Sequence, residues 1–304
     1  MDLRLEDLRV FEAVAVEGGL SPAAVTLGMT ASSATRAIER LERTTGVRLF
    51  HRTTRSVVWS AEGERLLPYA RRMLGEAEAA RDALRAGEVV GTLRLTCSAT
   101  FSRLYLAPVL AALAEKHPEL RFRLQLTDAQ VDLVAGGFDA AVRIGPLRDS
   151  GLQALRIAPE RRILCASPAY LKAHGYPQHP RELQRHRCIS LGSGGDVWPF
   201  KDSRQERVPC PIEADFGDFG LRAAEVGCGI ARLSHWLAAP SLRAGRLVRL
   251  LQAFEPRSHG VVAVVHTHPQ VAAPRVRAFL DEVKAQLIPA PWQAPQGAEP
   301  AEGD

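Results

Sequence analysis

A chain of 304 residues has room for two or three domains with their own cores. Its 46% hydrophobic and 24% charged content is that of an ordinary water-facing globular protein, and no apolar run approaches the roughly 18–20 residues of a membrane helix. The net charge of +5 is a mild pointer to a nucleic-acid partner, and its distribution says more than its size. Between residues 32 and 58 the six arginines Arg36, Arg40, Arg43, Arg48, Arg52 and Arg55 face only Glu39 and Glu42.

In chain order, Leu5, Leu8, Val10, Phe11 and Val14 recur at helical spacing, which predicts a helix over 5–17 stopped by Gly18-Gly19. Ser21 before Pro22 reads as an N-cap. Ala23, Ala24 and Leu27 face inward, and Gly28 closes that second helix. A third helix is expected from about Ser32 to Gly46, with Ala34, Ile38 and Leu41 on one stripe. Its other side carries Ser32, Ser33, Thr35, Arg36, Glu39 and Arg40. Two short strands, 47–50 and 56–59, then flank the basic loop His51–Arg55. Ser60 is placed to cap a long helix over 61–86 in which Leu66, Ala70, Met73, Ala77, Ala80 and Leu84 fall at alternating gaps of four and three. Such a narrow seam asks for a partner, and a second copy of the same helix is the expected one. Pro68 should bend that helix near its start.

Beyond Gly87 and Gly91 the pattern changes to strands alternating with helices. Strands are expected at 92–97, 120–127, 138–145, 152–158, 161–166, 187–191 and 261–266. Helices are expected at 104–118, 129–137, 168–174, 217–226, 234–238 and 274–287. This alternation predicts an α/β region with largely parallel sheets. Residues 291–304 are rich in Pro, Ala and Glu without period and read as a disordered tail.

The stretches "LRVFEAVAVEGGLSPAA" (8–24), "LGMTASSATRAIERLE" (27–42), "GVRLFHRTTRSV" (46–57) and "SAEG" (60–63) resemble the winged helix-turn-helix head of LysR-type transcriptional regulators. "LAPVLAALAEKHPELRFRL", "VDLVAGGFDAAVRIG", "SPAYLKAHGYP" and "LRAAEVGCGIA" are similar to the effector domain of the same family, so the resemblance is collinear over most of the chain. It implies a DNA-binding head at 1–59, a linker and dimerisation helix at 60–88 and a two-lobed, periplasmic-binding-protein-like α/β effector domain at 89–290. Lobe I would hold 91–160 and 266–290, and lobe II 161–265. The crossovers between them would fall near Pro159–Arg161 and Val265–His268.

The implied function is a small-molecule-responsive regulator that binds promoter DNA as a dimer or tetramer, with RNA polymerase as a possible further partner. No cofactor, no metal, no membrane attachment and a cytoplasmic location are expected, the charged residues Asp2 to Arg9 leaving no export signal. The DNA-contacting residues implied are Ser21, Thr30, Ser32, Ser33, Thr35, Arg36 and Arg40, with Arg52, Thr53 and Arg55 in the wing; the arginines are long enough for base edges or phosphates. Glu39 is open to three roles: accepting from cytosine, orienting Arg36, or standing in solvent. The effector-contacting residues implied are Ser98, Thr100, Phe101, Thr127, Asp128, Arg143, Gly145, Ser193, Asp218 and Gly227. Asp218 and the Gly192–Gly195 turn have plain structural readings as well, as an N-cap and a turn.

The family pattern is broken at Gly217, where Asn is common, and at Cys228, Arg232 and Ser234. The effector's identity is therefore open. An enzyme would need a nucleophile elbow, a zinc motif or a phosphate loop, none of which is present, and His266 and His268 lack a third metal ligand. A solute-binding protein would need an export signal or no head. The remaining alternative is a redox-sensing regulator of the same fold, for which Cys188 and Cys210 are the candidate pair among the five cysteines.

Overall fold

A computed structural model describes residues 2–52, 57–84, 88–147, 151–192, 195–257, 260–266 and 273–293. No helix among them is long and apolar enough to cross a membrane. By internal contacts the chain forms two units. The first holds Met1–Thr96, Leu113–Ala141 and His266–Ala278, the second Cys97–Ala112, Val142–Val265 and Phe279–Asp304.

The first unit opens with α1 (Leu5–Glu17), α2 (Leu20–Thr26) and α3 (Ala31–Thr45). Gly18 and Gly46 end α1 and α3 in the left-handed conformation, at φ 71° and 74°, where a side chain would be strained. Two helix starts differ from expectation. The second helix begins at Leu20 with Gly19 as its cap, so Ser21 lies inside the first turn and caps nothing. The third begins at Ala31 because Thr30, in extended backbone, accepts from the Ser33 amide at 3.2 Å. The expected stripe Ala34, Ile38 and Leu41 is buried, joined by Ala37, against Leu8, Phe11 and Val14 of α1.

Strands β1 (Phe50–Arg52) and β2 (Val57–Trp59) pair antiparallel. Phe11, Phe50 and Trp59 close the core beneath them, with ring centroids 4.9–5.5 Å apart. The long helix α4 (Ala61–Leu84) runs through Pro68. Its start is fixed by Ser60, which donates to the Arg48 carbonyl at 2.7 Å and accepts from the Gly63 amide at 2.9 Å. Gly63 is required there: a Cβ would stand 2.2 Å from the Leu49 carbonyl oxygen.

The expected seam of α4 is divided. Ala70 is fully buried and Leu66 half-buried in the core of the head, together with Leu74. Met73 and Ala80 are exposed. The side chain of Leu84 lies outside the described residues.

The α/β region follows as β3 (Gly91–Cys97), α5 (Ala99–Phe101), a π-helical turn at Ser102–Leu106, α6 (Ala107–Lys116), β4 (Leu120–Leu126), α7 (Leu133–Gly136), β5 (Ala140–Gly145), β6 (Gln153–Glu160), β7 (Arg162–Ala166) and α8 (Pro168–His174). Next come a 3-10 turn at Pro180–Arg185, β8 (Cys188–Leu191), β9 (Val197–Pro199), β10 (Gln205–Arg207), β11 (Ile212–Ala214), α9 (Gly217–Glu225), β12 (Ile230–Ser234), α10 (His235–Arg243), β13 (Val248–Leu250), β14 (Gly260–His266) and α11 (Pro274–Leu287).

In the first unit the strand order is β4-β3-β5, with β3 parallel to β5 (Leu95 opposite Ala140). In the second unit β5-β14-β6 are neighbours, and a separate sheet has the order β11-β8-β12-β7-β13. That sheet is mixed: β8 runs parallel to β11 and β12, while β7 is antiparallel to β12 and β13. The expectation of largely parallel sheets misses this reversal.

Three further expectations are corrected. The helix placed at 129–137 is only Leu133–Gly136, because the Asp132 carboxylate accepts from the Val134 and Ala135 amides and starts it late. The second crossover lies between β13, which ends at Leu250, and β14, because β14 from Gly260 onward already belongs to the sheet of β5 and β6. The tail does not start at 291: Pro291–Gln293 form a 3-10 turn, and Trp292 is buried against Phe101 and Tyr105. Residues 294–304 lie outside the described ones.

Candidate functional site

The polar face of α3 is assembled from its N-terminus. The Thr30 hydroxyl caps the helix, donates to the Ser33 hydroxyl at 2.9 Å and stands 3.0 Å from that of Ser32. This leaves a cluster of small hydroxyls at the positive end of a fifteen-residue helix. Ser21, Thr30, Ser32 and Arg36 are exposed, Ser33 and Thr35 half-buried. The Arg36 guanidinium makes only a long 3.4 Å bond to the Ser32 carbonyl.

Arg40 has a different position from the one its spacing suggests. It grips the buried carboxylate of Asp7 through two bonds, at 2.5 and 3.2 Å, and so ties α3 to α1. The pair raises the Arg40 pKa through that hydrogen bond and the Asp7 charge. Arg43, one turn further on, is exposed on the same side.

Glu42, in sequence no more than a charge, has a structural task. Its carboxylate accepts from the Leu49 and Phe50 amides at 2.8 and 3.4 Å and pairs with Arg48 at 3.3 Å, which fixes the entry to the wing. The signal available was an acidic residue at the end of a basic helix just ahead of a short strand. Thr53 and Arg55, and the side chain of Arg52, lie outside the described residues.

In the second unit, Ser98 caps α5 by accepting from the Phe101 amide at 3.1 Å. Thr100 donates to Asp218 at 2.5 Å, and Arg103 approaches the same carboxylate at 3.5 Å. Asp218 is therefore not an N-cap; Phe216 occupies that position, without a side-chain bond. Phe101 is corrected as an effector contact. Its ring has no exposed surface and packs on Tyr105, Trp236 and Trp292, so it is core.

Gly227, at φ 84°, turns the chain between α9 and β12, and its carbonyl accepts from Arg187 at 3.4 Å. Gly145, at φ 121°, ends β5, and Arg143 is half-buried in the same strand. Thr127 and Asp128 belong to the first unit, where Thr127 accepts from the Ala129 amide at 3.1 Å. Ser193 lies outside the described residues. Among the described residues no group of His, Cys, Asp and Glu is arranged to hold a metal.

Two family descriptions match this chain: "Bacterial regulatory helix-turn-helix protein, lysR family" over residues 5–64, and "LysR substrate binding domain" over residues 60–288. The chain belongs to the LysR family of transcriptional regulators. The HTH-type transcriptional regulator DmlR of Escherichia coli strain K12 is 35% identical over 82% of this chain and 84% of its own. The solved structure of CrgA, a LysR-type regulator from Neisseria meningitidis, is 31% identical, with a TM-score of 0.61 over 94% of this chain and 99% of that one. The crystal structure of a full-length AphB variant is 25% identical, with a TM-score of 0.66 over 92% of this chain and 98% of that one.

Within this LysR regulator all five cysteines are free. The redox alternative has no advantage over plain regulation. Burial pushes the Cys210 thiol up to about 11 and the Cys188 thiol further up, and Cys165 to about 12. A thiol held protonated is a poor nucleophile for oxidants.

Proposed function

We infer that this LysR-type regulator reads promoter DNA through the N-terminal half of α3, as a dimer joined through residues 60–88, and that a small molecule bound in its effector domain sets its activity. The observation that carries the DNA reading is the group formed by exposed Thr30, Ser32 and Arg36, with half-buried Ser33 beside them, at the start of α3. Small hydroxyls let the helix backbone approach the duplex, and one long guanidinium is left with only a weak internal bond. Arg40 serves this face by holding α3 on α1. Arg52, Thr53 and Arg55 are assigned to the wing by their place after β1. Thr100, Asp218 and Ser98 are the effector contacts best supported by their position at the end of β3 and the start of α9. The regulator is proposed to work in the cytoplasm, without catalysis, and to assemble further into tetramers that meet RNA polymerase.

The test is a mobility-shift titration on the promoter that the protein occupies in the cell. Arg36→Ala is expected to weaken specific binding by about 1–3 kcal/mol. Unchanged affinity would remove Arg36 from the reading surface.

A further inference from the structure

A cavity of about 760 Å³ lies within the second unit, between the end of β6, the start of β7, the hairpin β9–β10 and the residues Pro256, Arg257 and Gly260. Of the residues expected around the effector, only Gly145 lines it. Its wall carries six basic side chains, Arg161, Arg162, Lys201, Arg204, Arg232 and Arg257, against the two carboxylates of Glu160 and Asp202.

The floor is set by sheet register. Arg162 lies opposite Ser234, and Leu164 opposite Arg232, in the antiparallel pair β7–β12. Paired residues share a face, so Arg162 and Arg232 are diagonal neighbours. Glu160 is the nearby carboxylate: it lies buried 3.3 Å from Arg162 and accepts from Ser234 at 2.6 Å, and only its charge reaches Arg232. One carboxylate for two guanidinium groups leaves a positive floor. Burial first, and then the Arg162 charge, lowers the Arg232 pKa to about 10. At the rim, Arg161, Lys201 and Arg257 form an ion pair with none of the described carboxylates, and Arg204 is occupied by His179 at 2.8 Å.

The wall also holds two of the three non-glycine residues at positive φ among the described residues. Asp202 and Ser203, both non-glycine, stand at φ 59° and 57° in the turn of the β9–β10 hairpin. Trp198 and Phe200, buried in the core beneath, hold the hairpin in place. Gly260 and Gly145 meet backbone to backbone at the other side, where a Cβ on Gly260 would come 2.8 Å from Gly145.

We propose that this cavity binds a small anion carrying two or more negative charges, through Arg232 and Arg162 at the floor and Lys201 and Arg257 at the rim. A cavity of this size suits a metabolite-sized ligand. A neutral ligand would leave the cations unanswered, and a single charge would answer the floor but not the rim. Carboxylate and phosphate oxygens present the same chemistry to a guanidinium fork. The proposal rests on the regulator reading for its biological role, and on the cavity alone for binding.

The experiment is calorimetric titration of the full-length protein with citrate and with inorganic phosphate, glycerol serving as the neutral control. Saturable binding of one or both anions is expected, and the stronger arm tells whether carboxylate or phosphate is preferred. Arg232→Gln should weaken that binding at least tenfold, and the Lys201→Gln, Arg257→Gln pair by a similar factor. Thr100→Ala should leave it unchanged. The rim pair keeps the test decisive if Arg232→Gln does not fold.

No saturable binding of either anion overturns the proposal, as does full affinity in the rim pair. Loss of anion binding in Thr100→Ala alone would move the ligand to the Thr100–Asp218 site and overturn it as well. Should the rim pair weaken DNA binding while anion affinity stays intact, the surface is a DNA contact and the proposal fails. Anion binding by a protein that shifts no DNA would uphold the site and sink the regulator reading instead.

Discussion

Arg36 and Arg40 stand one turn apart on α3 and do different work. Arg36 is exposed with one long internal bond, whereas Arg40 answers a carboxylate that is 5% exposed. Removing Arg40 strands Asp7 in the core of the head, and a buried charge without its partner is destabilising. Arg40→Ala is therefore expected to lower the thermal midpoint, and Arg36→Ala to leave it unchanged, as differential scanning fluorimetry would show. If Arg40→Ala keeps its midpoint and loses only DNA affinity, Arg40 is a reader after all. From sequence the two residues were equivalent, because helical spacing tells which side a residue is on and not what waits there. Asp7 is distant in sequence, and its bond to Arg40 exists only once α1 has folded against α3.

At the scale of elements, α4 is shared between two tasks. One side buries Leu66, Ala70 and Leu74 in the head, and another leaves Met73 and Ala80 exposed. The heptad spacing was legible, but it did not distinguish a seam for a partner from one used at home. The remaining surface is the one proposed to meet a second copy. Met73→Glu with Ala80→Glu places like charges in that contact, so the double variant is expected to elute as a monomer and to lose affinity for a two-fold operator. Light scattering on the eluted peak would show it, and an unchanged mass would exclude this face.

Helix α10 supplies a pH dependence. Burial, followed by the charges of Arg249, Arg161 and Arg243, lowers the His235 pKa from its usual 6.5 to about 4. Below pH 6.5 the unfolded chain takes up a proton that the folded one refuses until about pH 4. Stability is thus full above about 6.5 and falls as pH drops through that window. His235→Gln should flatten the fall in urea midpoint between about pH 7 and pH 5 relative to the parent chain. Parallel profiles would count against a neutral His235.

For the molecule as a whole, the most consequential ionic network joins the head to the first strand of the α/β region inside the first unit. The Glu12 carboxylate, almost fully buried on α1, meets Arg94 of β3 at 2.5 Å and Arg71 of α4 at 3.7 Å. Asp139 continues it, accepting from the Arg94 amide at 2.8 Å and from Arg275 at 2.9 Å. Glu12→Gln leaves two half-buried guanidinium groups without their charge partner and should cost about 2–3 kcal/mol in urea unfolding. A loss below measurement scatter would mean that solvent compensates the arginines.

The sequence alone determined the family, the three helices of the head, the capping by Ser60 and the helices at 168–174 and 274–287. Each of these rests on local information: apolar period, cap residues and glycines that only a left-handed turn needs. Tertiary structure alone decided the rest. It placed the three-residue strands β9, β10, β11 and β13, too short to carry a period. It turned Phe101 from a contact into core, gave Asp218 to Thr100, and gathered Arg162, Arg232, Lys201 and Arg257 from distant segments onto one cavity. The physical reason is common to all of these. Burial and charge pairing depend on which residues meet in space, and a linear pattern records only the neighbours that a residue has along its own chain.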